Sequence, residues 1–252
     1  MGARGVADLR PEGGRSTVSS QRLPRPCSPD VAVARARKLA DLELARRPAD
    51  RHPYILGGGR FDPRHPDAEP WTLPESARSA VIKKYGRERT GLDCRGFVTW
   101  CYQLVARRDG FNSGGSVSGW INTDSMIEDA LSSIPDLFRI AKAPAPGVLV
   151  VYPSIRRREL TGYTSDLGKR VRIGHVGIVE VYRGAEWDAA QSECWALLDV
   201  IQCGSTGVPA VRSIDGSLWG RSATYNPVHP ITRQSSTITR PEWGPLLLEI
   251  IP

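Results

Sequence analysis

A change of pattern at Pro146 constrains this chain more than any other feature. Before that residue, apolar side chains recur at helical spacing. After it they come in short β-branched runs: residues 147–152 (GVLVVY), 175–182 (HVGIVEVY) and 195–203 (WALLDVIQC) read as strands, with weaker candidates at 210–214, 237–240 and 246–251. On the helical side, Ser28 followed by Pro29 is a helix start, opening a helix over 31–47. A short helix is expected over 76–85 and another over 123–132. The clearest helical period runs from Cys94 to Arg107, where Phe97, Val98, Cys101, Leu104 and Val105 share one face, Asp93 caps the start and Asp109-Gly110 supply a stop. Helices first and strands later predict an α+β fold with a mostly antiparallel sheet, rather than βαβ repeats.

With 252 residues and 40% hydrophobic content, the chain can bury a sizeable core. Residues 1–28, rich in Arg, Gly, Ser and Pro and without periodicity, read as a disordered basic tail, leaving 29–252 as a single domain. No apolar run approaches the ~20 residues of a spanning helix, and the first residues lack the apolar stretch of a secretory signal. Synthesis in the cytoplasm is expected, with delivery elsewhere by another route. The net charge of +7 comes mainly from Arg, since only five of the 34 cations are Lys. Attraction to an anionic polymer fits that balance. The single dense basic cluster, 156–158, reads as a solvated loop, so neither nucleic acid nor membrane is an expected partner, and a monomer is. Five cysteines without a CxxC pair indicate a reduced compartment, and no Cys/His spacing suits zinc, so no cofactor is expected.

Three features carry chemistry when taken together. Cys94 opens an amphipathic helix, where unpaired N–H groups and the positive end of the helix dipole favour a thiolate. His175 enters a buried-type strand, whereas His52, His65 and His229 all lie beside prolines in loop-like sequence. Gln202 is a polar residue inside the next apolar strand; if the two strands are antiparallel neighbours, its amide oxygen can accept the imidazole N–H and fix the ring for Cys94. Asp199 is the alternative orienter, but three residues from Gln202 it points to the opposite face. Cys101 and Cys203 are expected in the core. The run Gly57-Gly58-Gly59 lacks the GK[ST] of a phosphate cradle and reads as a tight turn.

The segment GLDCRGFVTWCY resembles the DCSGFV-type nucleophile motif of NlpC-type cell-wall cysteine peptidases, a papain-like family. Pro53-Tyr54-Ile55-Leu56-Gly57-Gly58 is similar to that family's PYxxGG turn, Pro146–Val150 to its PGDLV strand and Gly174–Val179 to its GHVGIV strand, all in the family's order. The resemblance implies a papain-like NlpC-type fold, with the Cys94 helix packed on the sheet that carries His175 and Gln202. It implies a triad of Cys94, His175 and Gln202, with Tyr54 near the nucleophile and the Cys94 backbone N–H as oxyanion donor. Arg95 stands where the family has Ser, where it would lower the thiol pKa, grip a substrate carboxylate or narrow the cleft. Asp93, Arg95 and Trp120 are the expected substrate-binding residues. Relative to the family core, residues 59–90 form a long Pro-rich insertion, a lid or specificity loop by position. Residues after about 206 lie outside the resemblance.

The implied activity is a cysteine hydrolase that cleaves an amide bond in peptidoglycan stem peptides through an acyl-enzyme. Two other functions fit the same residues: a papain-like amidase or acyltransferase on a non-wall substrate, and a binding module whose catalytic apparatus has degenerated.

Overall fold

The structure is a computed structural model and describes residues 25–59, 61–104, 121–156, 170–204, 210–225 and 237–251. The Trp120 site expectation and the tail over 1–24 lie outside the described residues.

Four helices precede most of the sheet. Helix α1 (Pro29–Ala45) starts where Ser28 caps it, the Val31 N–H meeting the serine hydroxyl at 3.4 Å. Cys27, placed in the tail by composition, donates its N–H to the Tyr102 carbonyl and its thiol to that of Cys101. Helix α2 (Glu75–Tyr85) stops at Gly86, whose φ of 71° is the left-handed cap that glycine accepts without strain. Helix α3 (Cys94–Cys101) and helix α4 (Thr123–Ala130) follow. The expected helix over 94–107 is therefore eight residues long: Gln103 adopts φ 57°, which breaks the ladder, and Leu104 returns to the core by a bond to Thr99 instead. Asp109 and Gly110 lie outside the described residues.

Six strands form one antiparallel sheet. They are β1 (Phe138–Ile140), β2 (Leu149–Tyr152), β5 (His175–Tyr182), β6 (Leu198–Cys203), β7 (Val211–Asp215) and β10 (Leu246–Ile250), in the spatial order β1-β10-β2-β5-β6-β7. Two small ribbons complete the strands: β3 (Ile155–Arg156) with β4 (Arg170–Arg172), and β8 (Thr224–Tyr225) with β9 (Ile238–Thr239). Two short helices, α5 (Ser192–Ala196) and α6 (Ser217–Gly220), flank β6 and β7 in sequence. The α+β class and the antiparallel sheet agree with the sequence pattern. The expected strand over 195–203 divides, Trp195 and Ala196 closing α5 while Leu198 begins β6.

Alternation along the strands sorts the core into two layers. Leu149, Val151, Val176, Ile178, Ile201 and Cys203 face α1, α3 and α4. Val150, Val179, Leu198, Val200 and Leu247 face the other way, toward Trp195 and Trp219. Full burial of each such aliphatic chain contributes about 1.5–3 kcal/mol. Cys101 and Cys203 are fully buried in the first layer, as expected.

Part of the Pro-rich stretch before α3 lies against the glycine turn, where Thr72 Oγ1 accepts the Gly59 N–H at 2.7 Å. Its residues strap α1 and α3 from outside: Arg35 donates to the Pro66 carbonyl, Trp100 Nε1 to that of Ala68, and Arg46 pairs with Glu69. Trp71 stacks on His52 with ring centres 4.1 Å apart. Among the described residues, these contacts brace the stretch against α1 and α3.

Candidate active site

Two structural halves meet at the N-terminal end of β5. The first is built around Asp93. As N-cap of α3 it accepts the Gly96 N–H at 2.6 Å, and its other oxygen accepts the Gly57 N–H at 2.8 Å and pairs with Arg95 at 3.3 Å. One carboxylate thus joins the turn over 53–59 to the start of the helix. The turn is stitched on by backbone as well, through Ile55 N–H to Leu92 O, Asp93 N–H to Gly58 O and a parallel bridge between Tyr54 and Leu92. The approach requires glycine at 96, where a Cβ would sit 2.5 Å from the Gly58 carbonyl oxygen and 2.7 Å from that of Gly59. Behind the turn, the buried carboxylate of Glu43 accepts both the backbone N–H and Nδ1 of His52, anchoring the residue two before Tyr54. His52 is a structural histidine.

Cys94 is the first residue of α3 and 5% exposed. Helix starts leave four N–H groups without intrahelical partners. Here the Asp93 N–H goes to Gly58, the Gly96 N–H to the Asp93 carboxylate, and the Arg95 N–H also faces that carboxylate. The Cys94 N–H is the one left over among the described residues, beside its own sulfur. The thiol itself departs from expectation. Burial, reinforced by the Asp93 charge, pushes its pKa up to about 12, against the smaller opposing pull of the Val176 N–H, the Tyr54 hydroxyl and Arg95. A helix terminus favours a thiolate, but here removal from water outweighs it. Burial and the neighbouring Cys94 likewise raise the Tyr54 hydroxyl, and burial raises the Asp93 carboxyl above its ordinary range.

The second half is the end of the sheet. Register pairs Gly177 with Gln202 across β5 and β6, so His175, two residues back, shares a face with both. Gln202 reaches across the side-chain-free Gly177 and sets Oε1 2.5 Å from His175 Nε2. With the amide oxygen facing the ring, Nε2 carries the proton and Nδ1 keeps its lone pair. Trp219 lies against the imidazole at 5.1 Å between centres and 16° between planes, and Tyr152, the strand partner of His175, closes in at 5.9 Å. A Cβ at 177 would stand 3.0 Å from the Trp219 ring and 2.6 Å from Val200, so glycine is required there too. Burial lowers the His175 pKa to about 4, only partly offset by the bond to Gln202. Asp199 plays no part in this group: a bulge between Val179 and Val181 carries it away, and Arg183 holds it.

The two halves touch without closing into a bonded pair. Cys94 packs in the layer of α3, whereas the His175 ring lies on the side of Trp219; no hydrogen bond joins them. They meet at Val176, whose N–H faces the sulfur. Two adjoining cavities reflect this. One of about 430 Å³ is bordered by His175, Gln202, Trp219 and Tyr152, and one of about 240 Å³ by Cys94, Asp93, Arg95 and Asn122. Tyr54, Leu56, Ile173 and Gly174 line both.

The sequence pattern puts Cys94, His175, Gln202 and Tyr54 in one group; the structure gathers Cys94, Tyr54, Asp93 and Arg95 on one side and His175 with Gln202 on the other. The sequence pattern misses Trp219 and Tyr152. A pairing of β2 with β5 would have found Tyr152; a lone Trp in GSLWGR carries no such signal. Among the described residues no group of His, Cys, Asp and Glu is arranged to hold a metal ion, and no helix is long and apolar enough to cross a membrane.

The site is thus a buried thiol and an oriented neutral imidazole at one end of an antiparallel sheet. Compared with protein-family models, with curated proteins and with solved structures, the chain matches none.

Proposed function

We propose that this protein is a papain-like, NlpC-type cysteine hydrolase that cleaves an amide bond in peptidoglycan stem peptides. The observation that carries the reading is the 2.5 Å bond from His175 Nε2 to Gln202 Oε1, which leaves Nδ1 as the base at the strand end where the Cys94 sulfur lies. A depressed pKa keeps that imidazole unprotonated, and therefore able to accept a proton, throughout the neutral range. In the proposed reaction His175 Nδ1 takes the thiol proton as the sulfur attacks the amide carbonyl. The Cys94 N–H and the Tyr54 hydroxyl stabilise the oxygen as it gains charge. Collapse breaks the C–N bond, and His175 returns the proton to the departing amine. Water, deprotonated by the same nitrogen, then releases the acid and regenerates the thiol. A neutral thiol and neutral imidazole are the resting pair, so the proton moves during attack rather than before it.

The raised thiol pKa and the absence of a direct Cys94–His175 bond favour a second reading, a binding module whose catalytic residues are silent. Incubation of the protein with purified peptidoglycan, followed by mass analysis of released fragments, separates the two. New amine and carboxyl ends that vanish in both Cys94→Ser and His175→Ala support hydrolysis. Intact stems with retained binding to the wall support the module, and turnover of only non-wall amides moves the activity to another substrate class.

A further inference from the structure

The two cavities that share Tyr54 differ in charge. The smaller one, beside Cys94, is bordered by the ion-paired Asp93 and Arg95. The larger one, of about 430 Å³, has no ionic side chain among its described lining residues. Its histidine, His175, is unprotonated through the neutral range because burial lowers its pKa to about 4. Arg172, which lies over the Tyr152 ring and is not part of this lining, is engaged by the carbonyls of Pro153, Ser222 and Trp243.

The rim of the larger cavity is apolar as well. Leu56, Ile173 and Leu218 line it and are 54%, 49% and 61% exposed. Single exposed apolar residues are ordinary on a protein surface; three from separate segments around one cavity are not. Each is held there by a fixed neighbour. Leu56 follows the buried Ile55, whose N–H is bonded to the Leu92 carbonyl. Ile173 precedes Gly174, where a Cβ would stand 2.2 Å from Thr123 Oγ1 and 2.7 Å from the Tyr152 carbonyl oxygen. Leu218 precedes Trp219, which is buried against His175. The cavity is therefore formed in advance, and its size falls in the ~300–1,000 Å³ range of small-ligand sites. Trp219 adds an indole N–H that has no hydrogen-bond partner among the described residues, so the lining residues also hold an unspent donor.

We infer that this cavity is a specificity subsite for an uncharged, apolar side chain of the substrate, on the imidazole side of the scissile amide. The amide rests on the hydrolase reading; the subsite itself does not need turnover. A charged side chain entering here gives up its hydration with no opposite charge to receive it. An aliphatic or aromatic one covers the three exposed residues and gains in proportion to the area removed from water. A stem peptide would place an alanine here rather than its acidic or diamino residue.

Binding of N-acetyl amides of single amino acids tests this. The full chain carries Cys94→Ser, so that no probe is consumed, and the reporters are the Trp219 indole N–H and His175 imidazole resonances, the first assigned with Trp219→Phe. N-acetyl-leucinamide is expected to shift both, with a Kd at least about tenfold below those of the glutamate and lysine counterparts and alanine in between. Leu218→Ser should raise the leucinamide Kd about threefold or more. Ile134→Ser, which changes an apolar residue 87% exposed and outside the lining, should leave it unchanged. Equal affinities across the series overturn the proposal, as does the absence of shifts at both reporters with leucinamide at its solubility limit. An unchanged Kd in Leu218→Ser, or an equal loss in Ile134→Ser, overturns it too, because the contact then lies elsewhere. Wall cleavage by the wild type without any preference among the amides removes the subsite and spares the hydrolase. The preference without cleavage of any amide removes the hydrolase and spares the subsite.

Discussion

The helix half and the sheet half of the site hold their reactive groups by different means. Around Cys94 the contacts are polar: one carboxylate, a turn of glycines and backbone bonds between residues 53–59 and 91–96. Around His175 they are aromatic, with rings from Tyr152 and Trp219 gathered by strand register and a short helix. Polar bonding fixes direction, which in the hydrolase reading suits a nucleophile that must present its sulfur and N–H together. Stacking fixes the plane of the ring and, among the described residues, leaves Nδ1 unbonded, which in the same reading suits a base that must accept a proton. The difference also says how each half should fail.

The largest expected effect is on turnover. In the hydrolase reading, Cys94→Ser and His175→Ala each reduce the rate of amide cleavage by at least ~10³-fold, and the double variant is no worse than either alone, because groups that act as a unit are not additive. Additive losses would show that the halves work separately. Next comes the packing of the helix half. Gly96→Ala drives a methyl group into two backbone carbonyls that cannot step aside, a cost of about 1–3 kcal/mol or more in a urea unfolding series. Asp93→Ala removes the cap and leaves Arg95 beside an empty socket; its cost should exceed the ~1 kcal/mol of an ordinary cap. Near-wild-type stability in Asp93→Ala would mean that the glycine turn alone holds Cys94.

The same contrast explains what was legible in the sequence. The helix half lies in two contiguous segments, so local pattern sufficed: Asp93 as cap, Cys94 as first residue and the turn at 57–59 all stand where the sequence puts them. Strand β5 has the expected limits because its alternation and flanking glycine and arginine are strong local signals. The boundary before β6 was misplaced because Trp195, Ala196 and Leu197 form an apolar run that suits helix or strand equally, and only tertiary packing decides. Trp219 was invisible for a related reason: it reaches His175 from the short helix α6, 44 residues downstream, and nothing local announces it. The raised thiol pKa escaped too, since desolvation is a property of the assembled core, while the dipole argument sees only the helix.

A smaller effect separates stacking from polarity in the sheet half. Trp219 is buried, and its Nε1 has no hydrogen-bond partner among the described residues. Trp219→Phe therefore removes an unsatisfied donor along with some contact area and should cost less than about 1.5 kcal/mol, whereas Trp219→Ala should cost about 3–5 kcal/mol. If the ring serves only to pack, the phenylalanine variant keeps the His175 pKa. If the indole also keeps water from the Nε2–Gln202 bond, the alanine variant lets that pKa climb toward 6.5, readable from the imidazole proton resonances.

The smallest effect is the dependence of stability on pH, and it assigns one limb to each half. His175 has an ordinary pKa of 6.5 lowered to about 4 by burial, so between those values the unfolded chain binds a proton that the folded one refuses. Stability from this group is complete above pH 6.5 and drains away as pH falls toward 4. Cys94 has an ordinary value of 9.0 raised to about 12, so in that interval the folded chain keeps a proton that the unfolded one gives up. Its contribution is complete below pH 9 and is lost as pH rises toward 12. Other buried thiols and phenols also titrate in the alkaline range, so the measurement is the difference between wild type and single variants in thermal midpoint at each pH. His175→Gln should flatten the acid limb alone and Cys94→Ser should flatten part of the alkaline limb alone. An acid limb that survives His175→Gln unchanged would mean that water reaches the imidazole freely, and the stacked, dry environment drawn for the sheet half would have to be given up.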